Sequence, residues 1–122
     1  MYKSIKLIAA VVLLVLFSGN AAAQDKAAAG AKKVTEHMTD QLSLNESQNS
    51  KVFSINYAFL QKAIENIESG KTKVDKAKRL KELDDDRDTK LKSVLSDEQF
   101  KKYIATKTEN RKKIREHFQE KD

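Results

Sequence analysis

Leu44-Asn45-Glu46-Ser47-Gln48 and Leu95-Ser96-Asp97-Glu98-Gln99 are two copies of one pattern, Leu-(Asn/Ser)-x-x-Gln, set 51 positions apart. Each copy stands where one run of helical periodicity stops and the next begins. The chemistry is that of a capping box. Asn45 or Ser96 offers a side-chain oxygen to the new helix, and the Gln three residues later reaches back to the cap's own backbone N–H. Two such boxes behind the same flanking Leu predict a chain of two similar helical hairpins.

Outward from the corners the periodicity is helical throughout. Val34, Met38 and Leu42 form a stripe at i, i+4, i+8, predicting a short helix near Lys33–Leu42. After the first corner, Val52, Ile55, Phe59, Ala63 and Ile67 form one apolar line, with Phe53, Leu60 and Ile64 beside it. That predicts a second helix from Glu46 to about Ser69, with Gly70 as its left-handed stop. A third helix is expected from about Asp75 to Val94, carrying Ala77, Leu80, Leu83, Arg87, Leu91 and Val94 on its inner face. The fourth runs from Asp97 to about Gln119, with Phe100, Tyr103, Ile104, Lys107, Arg111, Ile114 and Phe118 on one side. Leu95 and Phe100 add a hydrophobic staple to the second box. Asn49 stands at the equivalent place after the first, which makes the first the weaker copy.

Composition narrows the class. Lys3 and Lys6 precede an unbroken apolar run from Ile8 to Phe17, and Ala21-Ala22-Ala23 then reads as an A-x-A cleavage site. Residues 1–23 are therefore expected to be a signal peptide, too short in its apolar part to span a bilayer comfortably. The chain has no Cys, which excludes a lipoprotein anchor and any disulfide. Without the signal the formal charge falls from +6 to +4, mixed along the chain, so no nucleic-acid partner is implied. Residues 24–32, rich in Ala and Lys, are expected to be a flexible leader, with the helical domain at 33–122. Excluding Ala, the chain beyond residue 23 holds 23 large apolar residues, few for a compact globule of that size. The expectation is an all-α, elongated subunit of four helices in two hairpins, completed as a homodimer.

The two corner motifs, the export signal, the lack of Cys and Pro, and the run Asp86–Gln99 together resemble the Spy/CpxP superfamily of bacterial periplasmic proteins. That superfamily is marked by a repeated Leu-Thr-x-x-Gln. Asn45 and Ser96 replace both Thr residues, and both are good N-caps. The resemblance implies a cradle-shaped antiparallel dimer in the periplasm. Its characterised members are ATP-independent chaperones that hold unfolded clients, or adaptors that bind the sensor domain of a stress-response kinase, and some relatives bind metal. The motif residues Leu44, Asn45, Gln48, Leu95, Ser96 and Gln99 carry over as structural, and no catalytic residue comes with them.

Candidate chemistry is sparse. His37 and His117 are the only histidines and lie far apart in the chain. His37 with Glu36 and Asp40 could contribute to a zinc site only in a dimer, and the plainer reading is an exposed histidine near a frayed end. No H-E-x-x-H, G-x-S-x-G or phosphate-binding Gly-rich loop is present, so neither catalysis nor a cofactor is expected. Asp84–Asp88 lacks the Gly and distal Glu of a calcium loop. It reads as a solvated face, with Asp86–Lys90 and Asp88–Lys92 as ion pairs worth ~0.2–0.5 kcal/mol each. Arg87 falls near the apolar stripe, either paired with Asp84 inside the hairpin or lining a concave surface. Arg111, Lys112, Lys113 and Arg115, interleaved with Ile114 and Phe118, form a basic patch that either complements the helix dipole or meets a client. Arg87, Arg111, Lys112, Lys113, Arg115 and Phe118 are the expected partner surface.

Overall fold

A computed structural model describes residues 21–119. The signal segment expected at 1–23 lies outside them except for its last three residues. The fold is all-α: α1 (Ala21–Leu42), α2 (Glu46–Glu68), α3 (Lys73–Val94) and α4 (Asp97–Gln119), with no strand among the described residues. α1 packs on α2, α2 on α3, and α1 on α4, while the backbones of α3 and α4 approach one another little. The result is a four-helix arrangement with three packed seams and one loose one.

α2, α3 and α4 each start at a capping side chain. Asn45 (φ −80°, ψ 174°) caps α2, with Asn45 Oδ1 accepting from Gln48 N–H at 2.8 Å. Thr72 caps α3, accepting from the Asp75 N–H at 3.1 Å. Ser96 caps α4, accepting from the Gln99 N–H at 3.2 Å. The stop of α2 differs from expectation, since Gly70 does not have positive φ. The helix closes at Ser69 in extended conformation, whose N–H and Oγ both donate to the Asn66 carbonyl at 3.3 and 2.6 Å. The serine side chain satisfies the carbonyl, and no left-handed residue is required. The left-handed position falls instead on Ser43 (φ 55°), directly after α1.

The supposed leader at 24–32 is corrected by the structure: it is the first half of the 22-residue α1. Alanine has the highest helix propensity, and its small side chain lets the backbones of α1 and α2 approach closely. Ala27 and Ala31 are buried against Tyr57, Phe59, Leu60, Ala63 and Ile64. A second cluster lies toward the corners, built from Val34, Met38, Leu42, Val52, Leu91 and Tyr103 together with the motif leucines Leu44 and Leu95. Between the clusters sit polar residues: Thr35, Asn56, Asp84 and Arg87, each at most 4% exposed. Four expected inner-face positions are open. Ile67 is 61% exposed, Ile104 46% and Leu80 42%, and Ala77 is exposed as well. At the end of α2 it is Asn66 that faces α3, donating to the Lys76 carbonyl at 2.8 Å, and this turns Ile67 outward. Leu80 and Ile104 belong to the two helices whose seam is loose.

Candidate functional site

The two corners meet. Gln48 Nε2 donates to Gln99 Oε1 at 2.7 Å, and Gln99 Nε2 donates back to Gln48 Oε1 at 3.2 Å. Each Oε1 also accepts from its own cap, Asn45 N–H at 3.2 Å and Ser96 N–H at 2.9 Å. Each Nε2 reaches the last turn of the opposite hairpin's first helix: Gln48 to the Val94 carbonyl at 3.2 Å, Gln99 to the Leu42 carbonyl at 3.1 Å. An amide has two donor hydrogens and two acceptor lone pairs, and both glutamines use all four. Leu44 and Leu95 are buried beneath this lock. The first corner is not bare where it lacks a staple, because Asn49 Nδ2 donates to Thr39 Oγ1 at 2.7 Å.

Further along, the two halves diverge in chemistry. Asn56 lies eight residues after Gln48 and Lys107 eight after Gln99, while Thr35 lies nine before Leu44 and Asp88 seven before Leu95. In the first half, Asn56 Nδ2 donates to Thr35 Oγ1 at 3.0 Å within an apolar seam. In the second half the pair is Lys107 and Asp88, joined by direct ion pairing, and the seam is ionic. Lys107 Nζ also lies 2.7 Å from Asp84 Oδ2. Arg111 donates to the same oxygen, and Arg87 Nη2 donates to Asp84 Oδ1 at 2.9 Å. Tyr103 OH donates to Asp88 Oδ1 at 2.7 Å. Asp84 and Asp88 of α3 and Tyr103, Lys107 and Arg111 of α4 thus bridge the gap that apolar side chains fill between α1 and α2, while Arg87 pairs with Asp84 on its own helix.

The electrostatics follow from this geometry. Burial pushes the Asp84 carboxyl up, but hydrogen bonds from Lys107 and Arg111 and the Arg87 charge outweigh it and hold it at about 2. Burial pulls Lys107 down, and its bonds to Asp84 and Asp88 reverse that, leaving it raised. Tyr103 is raised by burial first, with Arg87 opposing and the Asp88 bond assisting. Arg87 is 2% exposed, its guanidinium 4.3 Å from the centre of the Phe59 ring, and its Nε and Nη1 have no hydrogen-bond partner among the described residues. It lines a cavity of about 10 Å³ with Ile55, Phe59 and Leu83, room for a water and nothing larger.

Several expectations change here. Arg87 does not belong to a partner surface, because it is inside the seam, paired with Asp84. Asp84 and Asp88 are not part of a solvated face; the Asp86–Lys90 pair forms at 3.0 Å, but Asp88 turns to Lys107 and Tyr103. Arg111 is committed to Asp84 although half its side chain is exposed. Lys112 lies 4.0 Å from Glu116, and Arg115 is exposed. The side chains of Lys113 and Phe118 fall outside the described part. His37 is not an exposed end group, since its Nε2 is 3.8 Å from Glu109 Oε1 and its side chain is 20% exposed. The ligand-type cluster among the described residues is Asp84, Asp85 and Asp88, and Lys81, Lys107, Arg87 and Arg111 neutralise it. The missed signal was complementary spacing: acids at 84 and 88 on one helix, Tyr103, Lys107 and Arg111 at steps of four on the next.

Residues 18–103 match the family model described as Domain of unknown function (DUF4890). The chain belongs to the DUF4890 family. No curated protein and no solved structure matches it. The DUF4890 region takes in α1, α2, α3 and both corners, and ends at Tyr103. It therefore includes the glutamine lock and the acidic side of the ionic seam, while Lys107 and Arg111 follow it.

Proposed function

We propose that this protein is an exported, ATP-independent holdase that binds unfolded clients on an open helical surface, working in the periplasm as a homodimer. The observation that carries the reading is the loose seam between α3 and α4. The two helices are bridged by Asp84, Asp88, Lys107 and Arg111 rather than closed by apolar side chains, and Leu80 and Ile104 stay exposed beside it. Charged groups at a partly apolar surface capture polypeptides from a distance, and adaptable apolar contact then retains them. Weak seams are also where a helical protein can rearrange around varied clients.

The test is aggregation suppression. At stoichiometric amounts the protein is expected to slow light scattering from a chemically denatured client, without nucleotide, and light scattering of the protein alone is expected to give a dimer mass. Unchanged client aggregation sinks the holdase reading. A monomer mass removes the dimer alone.

A further inference from the structure

We propose that the tip formed by the end of α2 and the first half of α3 is a peripheral docking surface for an anionic phospholipid bilayer. Residues 71–82 hold six basic and two acidic side chains, a net +4 that equals the whole net charge of the chain beyond residue 23. The rest of that chain is formally balanced, so its positive field is centred on this one end.

Three of the six cations are already used. Arg79 pairs with Glu82 at 3.2 Å, Lys81 with Asp85 at 3.2 Å, and Lys76 Nζ donates to the Ile67 carbonyl at 2.7 Å. Lys71, Lys73 and Lys78 are exposed and have no partner among the described residues. Among them stand exposed apolar groups. Val74 (63% exposed), Ala77 and Leu80 (42%) follow one side of α3 at i, i+3, i+6, and Ile67 (61%) lies at the same end. Lys78 is four residues from Val74, and Lys73 and Lys81 are each four from Ala77, so lysines border the stripe on both sides.

The shape of the tip decides between partners. Residues 70–82 are exposed apart from Lys76, so the apolar groups project from a turn and a bare helix rather than line a groove. A folded acidic protein would need a pocket matched to each projecting side chain. A bilayer accepts them anywhere in its headgroup layer, while lysine stems lie along the apolar surface and their ammonium groups meet phosphates. Docking is peripheral, because no described helix is long and apolar enough to cross a membrane. Leu80 is shared with the surface of the holdase reading, but vesicle binding and aggregation suppression are separate measurements, so either reading can fail without the other.

The chain from Ala21 on contains all four helices and lacks the apolar run at 8–17, so it isolates the tip's own contribution. Its co-sedimentation with phosphatidylglycerol-containing vesicles, compared with pure phosphatidylcholine vesicles, is the measurement. Preferential binding to the anionic vesicles at low salt is expected. Each lysine near such a surface contributes on the order of fivefold, so Lys71→Glu/Lys73→Glu/Lys78→Glu should weaken binding roughly a hundredfold. Val74→Ser/Leu80→Ser should keep the low-salt association and lose the part that survives high salt. Lys101→Glu/Lys102→Glu, near the start of α4 beside the second corner and at the opposite end of the hairpin from the tip, should bind as the parent does. All these positions are exposed, and circular dichroism confirms that each variant is folded. The proposal is overturned if anionic vesicles are not preferred, if the α4 variant loses as much binding as the tip variant, or if the tip binds polyglutamate and ignores vesicles.

Discussion

The side-chain amides of Gln48 and Gln99 lie face to face, each donating one hydrogen to the other's oxygen and one to a helix-terminal carbonyl of the opposite hairpin. The two helix starts are thereby one structure. A residue that caps its own helix also closes the end of a helix about fifty positions away in the chain. Capping and tertiary packing are coupled through two amide groups.

Removing either amide strands the other. Gln48→Ala leaves the Val94 carbonyl and the Asn45 N–H without their protein partners and halves the bonds of Gln99. The expected cost is about 2 kcal/mol in urea unfolding, since half-satisfied polar groups lose more than the mean hydrogen bond is worth. Gln99→Ala should cost a similar amount. The double variant should cost less than the sum of the singles by about 1 kcal/mol, a coupling read from a double-mutant cycle. Strict additivity would mean that the amides do not act as a pair.

Asp84 makes stability depend on acid. Its folded carboxyl is held at about 2, below the ordinary value of 3.8, so its contribution is present above about pH 4 and is lost as pH falls through 2. A shift of this size corresponds to about 2 kcal/mol. Lys107 is raised, so its contribution is complete below its ordinary value of 10.5 and declines only when pH rises past the folded value. Urea midpoints should therefore be flat from about pH 5 to 9 and fall toward pH 2. Asp84→Asn should be less stable at neutral pH and should lose that acid dependence.

The corners, the four helices and most of the core were legible because they depend on local chemistry: a cap, a glutamine three residues on, and apolar groups at helical spacing. Val34, Met38, Val52, Leu60, Leu83 and Leu91 lie inside as their periodicity requires. What local chemistry does not encode is which faces meet. Ile67, Leu80 and Ile104 keep perfect helical spacing and remain exposed, since nothing in a stripe reveals where its partner helix ends or diverges. Asp84 and Arg87 show the reverse case. Charged residues read as solvated until their counterions are placed: those of Asp84 include Lys107 and Arg111, more than twenty residues away on another helix, and that of Arg87 is Asp84 itself. The Ala-rich start of α1 has no large side chains to mark it as packed in the sequence, although their absence is what allows it to pack.

Asp84 and Arg87 are joined but not equivalent. Asp84→Leu leaves Arg87, Lys107 and Arg111 together without their shared anion, and it is expected to cost about 3 kcal/mol or more. Arg87→Met leaves Asp84 with two cations, removes the unpartnered Nε and Nη1, and keeps an apolar contact with Phe59. It should cost less than about 1 kcal/mol, because exchanging a buried charge for a side chain of similar volume is often neutral once the partner stays satisfied. Thermal unfolding of the two variants under one buffer gives the order. If Arg87→Met is the worse of the two, the guanidinium holds the seam and not the carboxylate.

Ser43 carries backbone strain that glycine would relieve. At φ 55° a serine occupies the left-handed region, and its own N–H donates to the Thr39 carbonyl at 2.8 Å as the chain leaves α1. The side chain is exposed, so its removal loses no packing. Ser43→Gly should stabilise the protein by a few tenths to about 1 kcal/mol, and Ser43→Val should destabilise it, since a β-branched residue tolerates positive φ poorly. A raised urea midpoint at unchanged slope is the signature expected for the glycine variant.

Ala31 decides whether the first half of α1 is part of the fold. It is 0% exposed and packs among Tyr57, Phe59 and Leu60, where a flexible leader would make no contact at all. Ala31→Leu therefore inserts three carbons into a filled site and should cost about 1–3 kcal/mol. The same substitution at Ala29, exposed on the opposite side of the helix, should change stability by less than about 0.5 kcal/mol. Equal and negligible effects at the two positions would return residues 24–32 to the status of an unpacked leader.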